Sequence, residues 1–262
     1  MDIKSWVPER FLWSYRMLRA YDAYNIEQKG GPPVHYDKDG LRILHKMDHL
    51  QADRFARAFQ AARENGSLID QDGRVHDNVE YRFYNLCCIA DHAKTLGGDF
   101  VECGVYKGAA SRTVCEYIGF NSLDRDFFLL DTFAGVPADS LLRFERRPVD
   151  YNKHGSYAEE ARKNFRAFPR AHVIEGRLPN TLSHVKAERI AYLHVDLNAL
   201  TPEIAVLELL WDRIVPGGFI ISDDYGHGGH EPQRQAWDRF AESRGLVVWA
   251  LPTAQGVLIK GG

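Results

Sequence analysis

Cysteine is scarce in this chain. There are four, Cys87, Cys88, Cys103 and Cys115, and no two are spaced as a CxxC pair. They read as reduced, packed thiols, which suits a cytoplasmic protein. Long apolar runs are missing too: nothing approaches the roughly 20 residues of a membrane span. The opening Met1-Asp2-Ile3-Lys4-Ser5-Trp6 leads into no apolar stretch and no cleavage signature, so neither export nor embedding is expected. Neither sign of charge dominates. Lys and Arg total 33 against 36 Asp and Glu, a net of −3, so no global field calls for nucleic acid. Arg143, Arg146 and Arg147 form one local basic patch, read as a solvated loop rather than a phosphate site. Internal repeats and low-complexity tracts are also lacking. What remains, 45% hydrophobic and 26% charged over 262 residues, is an ordinary globular composition. It has room for one α/β domain and an appendage.

The first hundred residues carry helical periodicity and no strand signal: Phe11, Leu12, Tyr15 and Leu18, then Phe55, Phe59 and Ala62. Gly30-Gly31-Pro32-Pro33 and Asp70-Gln71-Asp72-Gly73 break it as loops. The second resembles part of a calcium loop but lacks the remaining ligand positions, so it reads as a plain turn. Residues 1–77 are expected to be a helical extension serving as a lid or in dimer formation, and residues 78–262 the main domain. Its aromatics (Trp6, Trp13, Tyr15, Tyr36) are assigned to a core by default. A helix from about Asn78 to Thr95 leads into a strand at Phe100-Val101-Glu102-Cys103, and strands and helices then alternate. Strands are expected at 127–130, 172–174, 190–195 and 219–222. The helices between them are expected near 110–118, 157–168, 202–214 and 231–244. Pro216-Gly217-Gly218 should stop the third of these helices. A looser cover runs through Pro137 and Pro148, and strands at 247–251 and 256–260 close the chain as a hairpin. Short apolar runs between amphipathic helices imply parallel strands buried on both faces, with one antiparallel member near the end. The expected fold is a doubly wound, mostly parallel seven-stranded α/β sheet.

The polar residues gather where such a sheet binds ligands, at the carboxyl ends of strands. Glu102-Cys103-Gly104-Val105-Tyr106-Lys107-Gly108 is a strand-to-helix turn whose glycines leave the backbone open to a cofactor, and Ala109-Ala110-Ser111 opens the next helix with free N–H groups. Asp131 follows at about the interval at which an acid meets ribose hydroxyls. The middle glycine that admits a pyrophosphate is missing, with Tyr106 and Lys107 in its place. A cofactor without a pyrophosphate is favoured, S-adenosylmethionine (SAM) over NAD. Asp196 and the Asp223-Asp224 pair end consecutive strands, and three converging carboxylates resist joint ionisation without a cation. Oxygen-only ligands of this kind suit Mg²⁺. His227 and His230 follow in a glycine-rich loop. No further zinc ligand accompanies them, so a proton acceptor is their functional reading.

Four motifs in order resemble the class I SAM-dependent O-methyltransferases of the macrocin (TylF/MycF/NovP) type. They are Val101–Gly108, Leu130-Asp131-Thr132-Phe133-Ala134-Gly135-Val136-Pro137, Glu175-Gly176-Arg177-Leu178-Pro179-Asn180-Thr181-Leu182, and Val215 to Tyr225. The resemblance extends from about Asn78 to the C-terminus. It implies a Rossmann-like methyltransferase fold and Mg²⁺-assisted methyl transfer from SAM to a hydroxyl of a sugar or small natural product. It also implies a small-molecule acceptor and a homo-oligomer, with a homodimer expected. Carried over by position, Glu102, Gly104 and Ser111 would line the methionine end of SAM, Asp131 would hold the ribose, and Gly176 with Arg177 would border the adenine. Val105, Tyr106, Gly108, Thr132, Phe133 and Asp196 complete the implied cofactor set, and Asp196, Asp223 and Asp224 the metal ligands. One departure stands out. Where family members often carry a second acid, this chain has Asn198, and an amide accepts no proton at neutral pH. Either His227 or His230 takes that work, or a metal acidifies the hydroxyl, or the chemistry differs. An NAD-dependent oxidoreductase and a non-catalytic SAM-binding protein are the rival readings.

Overall fold

The computed structural model describes residues 34–142 and 156–262, apart from 65–66, 70–72 and 74, together with Met17. The expected helix at Phe11–Leu18, the Gly30–Pro33 loop, most of the turn at 70–73 and the Arg143, Arg146, Arg147 patch lie outside the described residues. The chain divides into two compact units, Met1–Asp48 and His49–Gly262.

The described part of the first unit contains a hairpin that the helical reading did not anticipate. Strands β1 (Tyr36–Lys38) and β2 (Leu41–Ile43) pair antiparallel, Lys38 opposite Leu41. The turn is Asp39-Gly40 with both φ angles positive, 51° and 73°, the twist that joins two strands through two residues. The Asp-Gly pair was the available signal; the strands beside it are too short for periodicity to register.

The second unit holds helices α1 (Asp53–Glu64), α2 (Glu80–Ala93), α3 (Ala109–Ile118), α4 (Ala158–Asn164), α5 (Leu200–Leu210) and α6 (Glu231–Glu242). Its strands are β3 (Asp99–Cys103), β4 (Phe127–Asp131), β5 (Ala171–Glu175), β6 (Ile190–Val195), β7 (Ile214–Ser222), β8 (Trp249–Ala250) and β9 (Gly256–Ile259). They form one seven-stranded sheet ordered β5-β4-β3-β6-β7-β9-β8. Pairing is parallel from β5 to β7, and β9 runs antiparallel to both neighbours, as the terminal hairpin implied. Helix α1, placed by the sequence reading in the N-terminal extension, belongs to this unit. Its Phe55 and Phe59 are buried in the same apolar cluster as Phe83 of α2 and Phe100 of β3.

The alternation of side chains along β3 explains the layering. Phe100 faces one cluster, with Tyr192 of β6 and the α2 and α3 residues Leu86 and Val114. Val101 and Cys103 face the other, with Val206 of α5 and Trp237 of α6. Phe100 is stacked on Tyr192 at 5.2 Å between centroids, edge-on to Phe120 and tilted against Phe127, both at 5.7 Å, so the sheet centre is aromatic on one side. Each such ring stabilises the fold by about 1.5–3 kcal/mol through burial alone.

Pro216-Gly217-Gly218 does not separate a helix from a strand, as expected. Strand β7 begins before it at Ile214 and runs through it, with a register shift against β6. Gly217 N–H donates to Lys260 O and Lys260 N–H to Gly218 O, so the irregular stretch keeps its backbone partners. A Cβ on Gly218 would lie 2.8 Å from Val215 O, which leaves no room for a side chain.

Candidate active site

The order of strands reverses between β3 and β6, so the chain departs in opposite directions from their carboxyl ends and leaves a crevice. A cleft of about 590 Å³ opens there. Its walls include Glu102, Gly104, Val105, Tyr106, Asp131, Thr132, Phe133, Gly176, Arg177, Asp196, Asn198 and Asp223, most of the residues singled out from the sequence. Gly108, Ser111, Asp224, His227 and His230 do not line it.

The glycine turn is shaped by protein rather than left open for a ligand. Gly104 has φ +94°, and a Cβ there would sit 1.8 Å from the carbonyl oxygen of Asp196, whose own N–H donates to Cys103 O. Gly104 is therefore required by the neighbouring strand end, while its other side faces the cleft. Gly108, at φ +87°, would bring a Cβ within 2.4 Å of the Phe165 ring. The expectation that its missing Cβ admits a cofactor is corrected: Phe165 occupies that space. Ser111 is also reassigned. It is buried and its hydroxyl donates to Glu102 Oε2, so it orients Glu102 instead of lining the cleft. Lys107 turns away to Ile69 O and Glu160, leaving Tyr106 on the wall.

Asp131 is the organiser of this half. Its Oδ2 accepts the N–H groups of Val105 and Tyr106 at 2.6 and 2.7 Å, and its Oδ1 accepts that of Phe133 at 2.7 Å. Tyr106 and Phe133 both have φ of 52°, a left-handed conformation costing about 1–3 kcal/mol for such side chains. One carboxylate thus holds two strained residues on the cleft wall, with charge-assisted bonds of about 1.5–3 kcal/mol each to offset the strain.

The other half is built on charge. Register pairs Glu102 with His194 across β3 and β6, on the same face, and Asp223 follows two residues beyond Ile221, the partner of His194 on β7. The His194 ring consequently bridges two carboxylates, Nδ1 to Glu102 Oε1 at 2.7 Å and Nε2 to Asp223 Oδ1 at 3.4 Å. Burial alone would lower its pKa. The hydrogen bonds to Asp223 and Glu102 win and raise it to about 10, so this histidine is a buried cation. From α2, Arg82 reaches over the same face and donates Nη1 to Asp223 Oδ2 at 2.5 Å, while Gln255 Nε2 donates to Oδ1 at 3.0 Å. Burial would push the Asp223 carboxyl up, but Arg82 and His194 hold it below the usual carboxylate range. Asp196 makes no ion pair among the described residues. Burial, with Asp223 and Asp224 close by, pushes it well above that range.

Oxygens of Asp196, Asp223 and Asp224 lie within 4.8 Å of one another, as the sequence reading required. This all-oxygen set, short of positive charge at Asp196, fits a hard divalent cation. Asn198 Nδ2 donates to Asp196 Oδ1 at 3.0 Å, and its φ of 55° is one that asparagine tolerates, so it orients the acid and takes no proton. Neither histidine named as a base faces the cleft. His230 is 1% exposed, stands at the N-cap position of α6 and shares a 2.8 Å hydrogen bond with Gln233. His227 Nε2 lies 2.6 Å from Arg82 Nη2. A guanidinium only donates, so Nε2 is the acceptor and is engaged.

Arg82 and His194 escaped the sequence reading. The signal was a polar residue interrupting an apolar strand (His194 between Leu193 and Val195) in phase with Glu102. Arg82 had none, because only packing aims a helix residue at a sheet end.

Comparison with known proteins places these features. Solved structures of the O-methyltransferase NovP and of the calicheamicin methyltransferase CalS11 share the fold. Their TM-scores are 0.62 and 0.60 at 19% and 18% identity, covering 82% and 83% of this chain and 98% and 95% of theirs. Among curated proteins, the 8-demethyl-8-(2,3-dimethoxy-alpha-L-rhamnosyl)-tetracenomycin-C 4'-O-methyltransferase of Streptomyces olivaceus is 31% identical over 163 residues, 57% of this chain and 59% of that enzyme. The mycinamicin III 3''-O-methyltransferase of Micromonospora griseorubida is 26% identical over 186 residues, 63% of this chain and 70% of its own length. The demethyldecarbamoylnovobiocin O-methyltransferase of Streptomyces niveus is 26% identical over 149 residues, 53% of this chain. The chain spans less than two thirds of the length of the Streptomyces relatives, 59% and 57%. Residues 79–249, from the start of α2 through the sheet to β8, match the family described as macrocin O-methyltransferase (TylF). With its glycine turn, its Asp131 and its acid cluster all inside that span, the chain belongs to the TylF family.

Proposed function

We propose that this protein transfers a methyl group from SAM to a hydroxyl of a sugar or sugar-bearing natural product, with Mg²⁺ held by Asp196, Asp223 and Asp224. One observation carries the reading: Gly104 of the glycine turn and two acids of the cluster, Asp196 and Asp223, line a single cleft across the β3–β6 switch point. The donor half fits a nucleoside with a cationic tail. Glu102 lines the cleft beside Gly104, Asp131 pins the turn, and Phe133, Gly176, Arg177 and Leu178 continue the wall where a base would lie. A volume of about 590 Å³ is in the range of small-molecule sites.

The chain's own residues mainly position and desolvate. Leu68, Ile69, Val79 and Phe83 give the cleft an apolar wall. A bound Mg²⁺ would supply Lewis acidity, lowering the pKa of an acceptor hydroxyl. That need is sharp here because Asn198, His227 and His230 provide no base facing the cleft. The acceptors named for two relatives are a rhamnosyl tetracenomycin and mycinamicin III, and a natural product of that kind, with a sugar hydroxyl, is assigned to this chain.

The test is methyl transfer from labelled SAM to a panel of deoxysugar glycosides and nucleotide sugars, with MgCl₂ or EDTA. Transfer abolished by EDTA with SAM binding intact is the expected outcome. Full turnover in EDTA would remove the metal from the mechanism. Calorimetric SAM binding without transfer to any acceptor would instead favour a non-catalytic binder, and a thermal shift with NAD but not SAM an oxidoreductase.

A further inference from the structure

Three carboxyl groups within 4.8 Å of one another repel when ionised together, and nearby positive charge relieves that repulsion. The chain brings its own. Arg82 is 8% exposed, its Nη1 holds Asp223 at 2.5 Å and its Nη2 engages His227 at 2.6 Å. The backbone N–H of His227 donates to Asp224 O, so the residue on the other arm of the guanidinium is itself tied to the acid pair. His194 and Gln255 both face Asp223 Oδ1. Both oxygens of one implied metal ligand are therefore already engaged by donors. Asn198, standing where a further acid would add negative charge, donates to Asp196 Oδ1 instead.

We propose that Arg82 is a built-in counter-ion of the acid cluster, which competes with a divalent cation for Asp223 and must release it before the metal is held. The physical reason is exclusion of like charges. A guanidinium at 2.5 Å from Asp223 Oδ2 and a divalent ion on the same oxygen repel each other strongly in a site shielded from water. Arg82 also lines the cleft, so the guanidinium has somewhere to go when it leaves Asp223. It is a positioning residue with a second consequence. When Arg82 swings out, its 2.6 Å hydrogen bond to His227 Nε2 breaks as well, so loading of the metal and loss of that bond are one event. The proposal rests on the reading of Asp196, Asp223 and Asp224 as metal ligands.

The experiment is Mn²⁺ binding to the full chain, without SAM or acceptor, read from the free-ion electron paramagnetic resonance signal. R82Q is expected to bind Mn²⁺ about tenfold more tightly than the unmodified protein, a gain of about 1.4 kcal/mol. D223N should weaken binding in both backgrounds. R82K keeps a charge but has no fork to hold Asp223 and His227 together, and is expected to fall between the two. It carries the same comparison if R82Q does not fold. Thermal unfolding supplies a second readout: MgCl₂ should raise the midpoint of R82Q by more than that of the unmodified chain, because the ion replaces the missing charge. Equal or weaker Mn²⁺ binding in both Arg82 variants overturns the proposal and leaves the metal site standing. Binding by none of the proteins overturns both.

Discussion

The two halves of the cleft solve the same problem, holding carboxylates still at strand ends, by different physics. On the β4 side, Asp131 is bound by backbone N–H groups of Val105, Tyr106 and Phe133, which cannot leave without unfolding the turn. On the β6–β7 side, Asp223 is bound by Arg82 and His194, side chains that carry charge and can be exchanged for another cation. The difference teaches where adaptability resides. The donor half is fixed in advance and should be indifferent to salt and metal, whereas the acid half responds to whatever cation is present.

The sharpest way to break this contrast is at the point where the halves touch. Gly104→Ala would force a methyl to within 1.8 Å of the Asp196 carbonyl oxygen at a φ of +94°, moving the strand ends apart. A loss of about 4 kcal/mol is expected in urea unfolding, with both SAM and metal binding impaired. A variant that kept one and lost the other would mean that the halves are less coupled than the contact implies. Asp223→Asn comes next. It leaves Arg82 and His194 as buried cations sharing one fewer negative charge, and a loss of about 3 kcal/mol is expected. Turnover should vanish while calorimetry of SAM is little changed; an equal loss of SAM affinity would erase the division between the halves.

Asp131→Asn tests the fixed side. The amide nitrogen would face N–H donors in place of one acceptor oxygen, releasing Tyr106 or Phe133 from its strained backbone, at a cost of about 2 kcal/mol. SAM affinity should fall at least about tenfold, equally with Mg²⁺ or EDTA. The smallest effect is at a pair remote from the cleft. Arg54 holds Asp91 through Nη2 to Oδ1 at 2.5 Å and Nη1 to Oδ2 at 3.2 Å, and its Nε donates to Tyr117 O, tying α1 to α2 and α3. The Arg54 hydrogen bond is the main reason the Asp91 carboxyl lies below its ordinary value. A depressed acid adds stability above its unfolded pKa, near 4, and loses it as pH falls through the folded one. Solvent screening keeps the contribution below about 1 kcal/mol. Asp91→Asn should therefore be slightly less stable at pH 7 and indistinguishable near pH 2; a gap that persists in acid would assign it to packing.

Much of this could be read along the chain. The strands at Phe100–Cys103, Phe127–Leu130 and Ile190–Val195 were legible because each is an apolar run closed by a polar residue at the sheet's ligand-binding end. The acids Glu102, Asp131, Asp196 and Asp223 were legible for the same reason. The hairpin at Tyr36–Ile43 was not, since three-residue strands carry too little pattern. Strand β7 was cut short because Pro216-Gly217-Gly218 is ordinarily a stop and here is a bulge satisfied by Lys260. The partners of the two candidate base histidines were not legible, because only packing turns the His227 ring toward Arg82 and the His230 ring toward Gln233.

Local sequence, then, determined the order of elements, the parallel sheet and which strand ends bear acids, because burial period and turn chemistry act between near neighbours. Only the tertiary structure decided what each acid touches: that Gly104 yields to a carbonyl 92 positions away along the chain, that His194 bridges Glu102 and Asp223, and that Arg82 sits on Asp223. Register between strands and the rotation of a helix over a sheet set those contacts, and both follow from packing the whole core at once.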